Sequence, residues 1–277
     1  MISKILIILL SISSLLTLGL KFKKNELNYI SKSFQSVWIG LLLNYVLVPL
    51  FAIIIIKIFS ITESVSIALM ICAMSPGGAS SALYLVRANS DHHGGAILLS
   101  ILNFTSPILT SILVSVYIKQ ELVIDFNLVT KLFLTCLFLQ TIPLFVGILI
   151  SMNQENFAIR LKTITSKISN LCLVAIILFL IFKHYTEIFS FNWEVWLSII
   201  CIFFISVFLV QIFYKLEFKT KSSLSLVTST RSLSLALLIT ETHIKSKETY
   251  LVILLYGFVM FSFSEFSVRY WKKSTHS

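Results

Sequence analysis

The chain has 277 residues, 57% of them hydrophobic and only 12% charged, with a formal net charge of +10. Soluble domains average about 25% charged residues, and no stretch between the apolar runs is long enough to form one. The basic residues are scattered through short loops, which fits membrane topology and excludes a nucleic-acid-binding face. Cys72, Cys136, Cys172 and Cys201 lie inside apolar runs without CxxC spacing, so neither a disulfide framework nor a metal site is indicated.

Taken in chain order, nine apolar runs are predicted as membrane spans, at about 2–20, 36–59, 63–88, 94–118, 128–151, 164–185, 192–214, 221–240 and 248–270. About 20 apolar residues cross a ~30 Å hydrocarbon core. The first run ends in Lys21, Lys23 and Lys24, with its charges after the apolar stretch and no small-x-small cleavage pattern. It reads as a retained span, because a signal peptide has the opposite balance. Basic residues favour one side about two to one, with Lys21, Lys23, Lys24, Lys32, Arg160, Lys162 and Lys219 against Lys57, Lys119, Lys131 and Lys245. The positive-inside bias then places the N-terminus outside and the C-terminus in the cytoplasm of an integral plasma (inner) membrane protein.

Two spans are poor helices. The third contains SPGGASSALYLVR (75–87), and the eighth, KSSLSLVTSTRSLSLALLIT (221–240), is crowded with hydroxyls and carries Arg231. Residues 128–270 read as a five-helix unit whose fourth helix is broken. Residues 1–118 read as the same unit without its first helix, running in the opposite sense. That is the outline of an inverted repeat within a single membrane domain covering 1–277, with two discontinuous helices that meet at the binding site. Irregular backbone at membrane depth is tolerated only where it lines a cavity or is buried in protein.

The candidate binding residues are therefore Pro76, Gly77, Gly78, Ser80 and Ser81 in the first break. Thr228, Ser229, Thr230, Arg231 and Ser232 form the second set, with Asn44 and Asn103 from neighbouring spans. Arg231 is the most informative, since a guanidinium at membrane depth is costly and usually marks a substrate or ion path. It lies too far from either end of its span to snorkel easily. Asn44 reads equally as helix–helix glue, and the hydroxyls could back-bond to their own helices. Glu265 could pair with Arg269 at i+4, and Asp91-His92-His93 reads as a solvated turn.

Five stretches carry a resemblance: TLGLKFKKNEL (17–27), LLLNYVLVP (41–49), SPGGASSALYLVR, NFTSPILT (103–110) and VTSTRSLSLAL (227–237). Together they resemble the bile acid:sodium symporter family. The resemblance implies a core of spans 2, 3, 4, 7, 8 and 9, a panel of spans 1, 5 and 6, and transport of organic anions, often with sodium. The family's helix-breaking residues match Pro76, Gly77 and Gly78, and the Ser of its Ser-Asn pair matches Ser81, whereas the Asn is replaced by Ala82. Asn44 matches in kind a sodium-ligating amide. Leu99 stands where the family offers a hydroxyl, Val227 where it offers an acidic ligand, and Arg231 and Ser232 where it has Gln and Asn. What remains of the sodium site lies near Asn44, Ser81 and Thr228, and Arg231 falls where a cation would sit. No cofactor is implied.

The expected function is secondary transport of a small or amphipathic organic anion by alternating access, with no bond made or broken and with sodium coupling in question. A non-transporting receptor or assembly subunit is the alternative, followed by a channel. A membrane-embedded enzyme would need convergent carboxylates or a histidine cluster at depth, and the spans contain none.

Overall fold

A computed structural model describes residues 2–22, 29, 33–119 and 126–273. Lys23, Lys24 and Lys32, used above for orientation, lie outside these residues, as does the end of the 17–27 motif. Among the described residues the structure is entirely helical: α1 (Ile2–Lys21), α2 (Phe34–Leu42), α3 (Val48–Ile58), α4 (Glu63–Met74), α5 (Ser81–Arg87), α6 (His92–Lys119), α7 (Phe126–Cys136), α8 (Ile142–Asn153), α9 (Glu155–Phe189), α10 (Trp193–Phe208), α11 (Phe218–Ser229), α12 (Leu233–Ile239) and α13 (Lys247–Lys273).

Helices α2 and α3 form one rod through a π-type turn at Leu43–Leu47, and α7 and α8 another through Leu137–Thr141. Pro49 and Pro143 stand at the second position after these turns. A proline lacks an N–H and crowds the preceding turn, and the wider π turn accommodates both effects.

Among the described residues, seven helical segments are long and apolar enough to cross a membrane, and they coincide with seven of the nine expected spans. The expected third span is divided into α4 and α5, of 12 and 7 residues. The expected sixth lies within α9, which begins at Glu155, nine residues before the anticipated start, and carries Arg160, Lys162 and Lys167 in its first half.

The helices pack in two groups. In the first, α1 lies along both α8 and α9. The α1–α8 approach is backbone against backbone: a Cβ at Gly147 would come 2.6 Å from the Leu16 carbonyl oxygen, and one at Gly19 would collide with that of Leu144. Small residues allow this closeness where lipid supplies no hydrophobic drive between helices. In the second group, α4 packs against α3, α6 and α13, while α11 packs against α6, α10 and α13. The segment Phe218–Ile244 is the least apolar of the seven, with mean hydropathy 1.3, yet residues 222–240 are all buried. Hydroxyls and a guanidinium cannot face hydrocarbon without large cost, so this helix occupies the centre.

Candidate functional site

The α4 helix stops at Met74 because Pro76 cannot supply the next N–H and the chain then turns through Gly77 at φ +37°, a backbone region that side chains disfavour. The freed carbonyls are taken up locally. Thr110 Oγ1 donates to Met74 O (2.9 Å), Asn103 Nδ2 to Gly77 O (3.2 Å), and Ser81 Oγ to Gly78 O (2.7 Å). The α11 helix ends at Ser229, and the chain resumes as α12 at Leu233.

The two breaks join through their backbones. Gly78 N–H donates to Thr230 O at 2.8 Å, and Ser232 N–H donates to Ser75 O at 3.1 Å. At Gly78 a Cβ would sit 2.6 Å from the Arg231 carbonyl oxygen, so glycine is what lets the second break come this close. This contact answers the demand that irregular backbone in a membrane be satisfied inside the protein.

Arg231 is 1% exposed. Its Nη1 donates to Asn44 Oδ1 at 2.7 Å, and Asn44 Nδ2 donates to Gly40 O (2.8 Å) and Thr228 Oγ1 (3.2 Å). Asn44 thereby serves as glue between the α2–α3 rod and the second break. Tyr256, Tyr45 and Cys72 stand near the guanidinium, with the Tyr256 hydroxyl facing it, while Nε and Nη2 meet no acceptor in full hydrogen-bonding geometry among the described residues. The Ser75 and Thr230 hydroxyls are likewise buried and unpartnered there.

On the other side of the breaks, a cavity of about 190 Å³ opens between the second helix group and helices α1 and α9. Gly78, Ser80, Arg231 and Ser232 line it from the breaks, and Lys21 and Asn170 face it from α1 and α9. Of the other sequence candidates, Ser81, Thr228, Asn44 and Asn103 support the breaks through the bonds above. Pro76 and Gly77 shape the first turn, Thr230 contributes its carbonyl, and Ser229 Oγ bonds back to its own helix at Leu226 O (3.5 Å).

Sequence reasoning overlooked the α1 and α9 side of the cavity. Its signal was present, because Ser14, Thr17 and Lys21 recur at i, i+3 and i+7, and Ser166, Ser169 and Asn170 at i, i+3 and i+4, each marking one helical face. The α5 half-helix spans only two turns, so full charges at Lys21 and Arg231 outweigh its partial dipole. Glu265 is corrected: it pairs with Arg87 and not with Arg269, because the end of α5 lies beside α13. The Asp91 turn is tied down, with the carboxylate capping Gly94 N–H (3.0 Å) and Asp91 N–H bonded to Lys219 O (3.3 Å).

The model of the Sodium Bile acid symporter family matches residues 6–192. No individual curated protein matches the chain. The matched stretch contains the first break, Asn44 and Asn103, and stops before the second break. Because it spans well over half of a chain whose helices suit a bilayer, the protein belongs to the sodium bile acid symporter family, a family of membrane-embedded secondary transporters and not of enzymes.

Proposed function

We propose that this protein is a nine-span secondary transporter that carries a small organic anion by alternating access, the cavity at the two breaks being its binding site. Spans 1, 5 and 6 (α1, the α7–α8 rod and α9) form the panel and the remaining helices the core. Residues 1–118 and 128–270 are the inverted repeats, and the N-terminus faces outside in a plasma (inner) membrane.

The observation that carries this reading is the cavity itself. It combines hydroxyls, the Lys21 ammonium and apolar walls at the seam between two helix groups, with Ser80 and Ser232 from the breaks on one side and Lys21 and Asn170 opposite. Such a lining offers donors to an oxyanion and, among the described residues, presents no carboxylate to repel it. A volume of about 190 Å³ is below the ~300–1,000 Å³ of sites for drug-sized ligands. That favours a compact acid over a steroid-sized one in this conformation.

The test is binding and uptake with a panel of small carboxylates and sulfonates. A ligand selective for the folded protein raises its melting temperature, and reconstituted vesicles should show saturable uptake with counterflow. Lys21→Gln should raise the half-saturation concentration several-fold without lowering the melting temperature. Non-saturating flux would make the protein a channel. An absence of binding and uptake across the panel would favour a receptor or assembly subunit.

A further inference from the structure

The family's name implies sodium, and most oxygens at the crossing are already committed to other partners. A free sodium ion in a dry site needs several oxygen ligands and benefits from an anionic one. At the crossing, the Asn44 amide oxygen already accepts from Arg231 Nη1. The carbonyls of Ser75, Gly77, Gly78 and Thr230 accept from Ser232, Asn103, Ser81 and Gly78. The Thr228 hydroxyl accepts from Asn44. On the side where a Cβ at Gly77 would point, the neighbours are side-chain carbons of Leu99, Leu102 and Val227. Among the described residues no group of three His, Cys, Asp or Glu stands together anywhere. The oxygens left over are neutral hydroxyls, those of Ser75 and Thr230, and they stand beside Arg231 Nε and Nη2, which can only donate. A second unit positive charge about 4 Å from the guanidinium would lose roughly a thousandfold in affinity at an effective dielectric of about 20. The residues present do not fit a sodium ion.

From the Arg231–Asn44 juxtaposition we propose that the crossing contains its own tethered cation, and that the substrate anion travels without sodium. This rests on the transporter reading above and adds a consequence for charge. A free cation crosses with its substrate, but a tethered guanidinium returns with the empty carrier. Over a full cycle only the substrate's negative charge is moved. Uptake of a monovalent anion should then be electrogenic, with the accumulation ratio changing about tenfold per ~59 mV and favoured by an inside-positive potential. Symport with two or more sodium ions would give the opposite sign.

Two measurements decide this. The first is the melting temperature of purified protein, without substrate, in sodium chloride against choline chloride at equal ionic strength. The expected result is no sodium-specific shift. A bound sodium at tenfold above its dissociation constant would raise it by roughly 3–6 °C, and that result overturns the proposal. The second is uptake into vesicles clamped with a potassium diffusion potential. Equal uptake in sodium and choline, accelerated by inside-positive potential, is expected. A sodium requirement, or acceleration by inside-negative potential, overturns it. Should no anion be transported, the transporter reading fails, while the melting comparison still decides the cation question.

Discussion

Replacing Gly78 by alanine perturbs the contact on which the site depends. The added Cβ would lie 2.6 Å from the Arg231 carbonyl oxygen, a backbone atom that cannot rotate away. Ordinary contact begins at 3.4 Å, so the two breaks must separate by about 0.8 Å. The bonds Gly78 N–H to Thr230 O and Ser232 N–H to Ser75 O, at 2.8 and 3.1 Å, span the same gap. That displacement stretches both beyond useful length. Each buried N–H left without a partner costs about 1–3 kcal/mol, so the pair amounts to roughly 2–6 kcal/mol. The expected fall in melting temperature is on the order of 10 °C, with loss of ligand binding where the protein still inserts. Thermal melting in detergent and uptake in vesicles measure the two effects. Val174→Leu, on an exposed position of α9, is the control for added bulk. Gly257 would not serve, because a Cβ there meets the Leu233 side chain. Melting of Gly78→Ala within about 2 °C of wild type, with normal uptake, would refute the backbone contact between the breaks.

Asn44→Leu removes the hydrogen-bond acceptor of Arg231 Nη1 and should cost about 2–3 kcal/mol. Adding Arg231→Met should recover most of that loss, since an apolar pair can replace a buried charged one at little cost. Simple additivity in this double-mutant cycle would count against the coupling. For orientation, a single cysteine at Glu187 in a cysteine-free variant should react with an impermeant reagent from outside, and one at Glu155 should not. The reverse pattern would invert the proposed topology. Glu187 also pairs with Lys247 at 2.7 Å, joining α9 to α13. Both side chains are partly exposed, so Lys247→Ala should lower stability by less than about 1 kcal/mol, as thermal melting would register.

Sequence alone placed seven of the nine expected spans where the described residues form long apolar helices, because each crossing needs about 20 apolar residues. It also located both breaks. Pro76-Gly77-Gly78 cannot continue a helix, and Arg231 cannot sit in hydrocarbon unless the surrounding protein encloses it. Tertiary structure alone decided what those features touch. Whether a guanidinium turns toward an aqueous cavity or toward Asn44, 187 positions away, depends on which helices pack around it. Local spacing offered Glu265 a partner four residues on, but packing brought Arg87 nearer. The polar faces of α1 and α9 were legible as periodicity, yet that they face the breaks across a cavity follows only from the packing of the two helix groups. The glycines at 19 and 147 gave no signal until their helices met, because a missing side chain acquires meaning only from what occupies its place. Helix formation is set within a few residues by local hydrogen bonding and transfer energy. Contacts between breaks more than 150 residues apart are set by the shapes of everything packed around them.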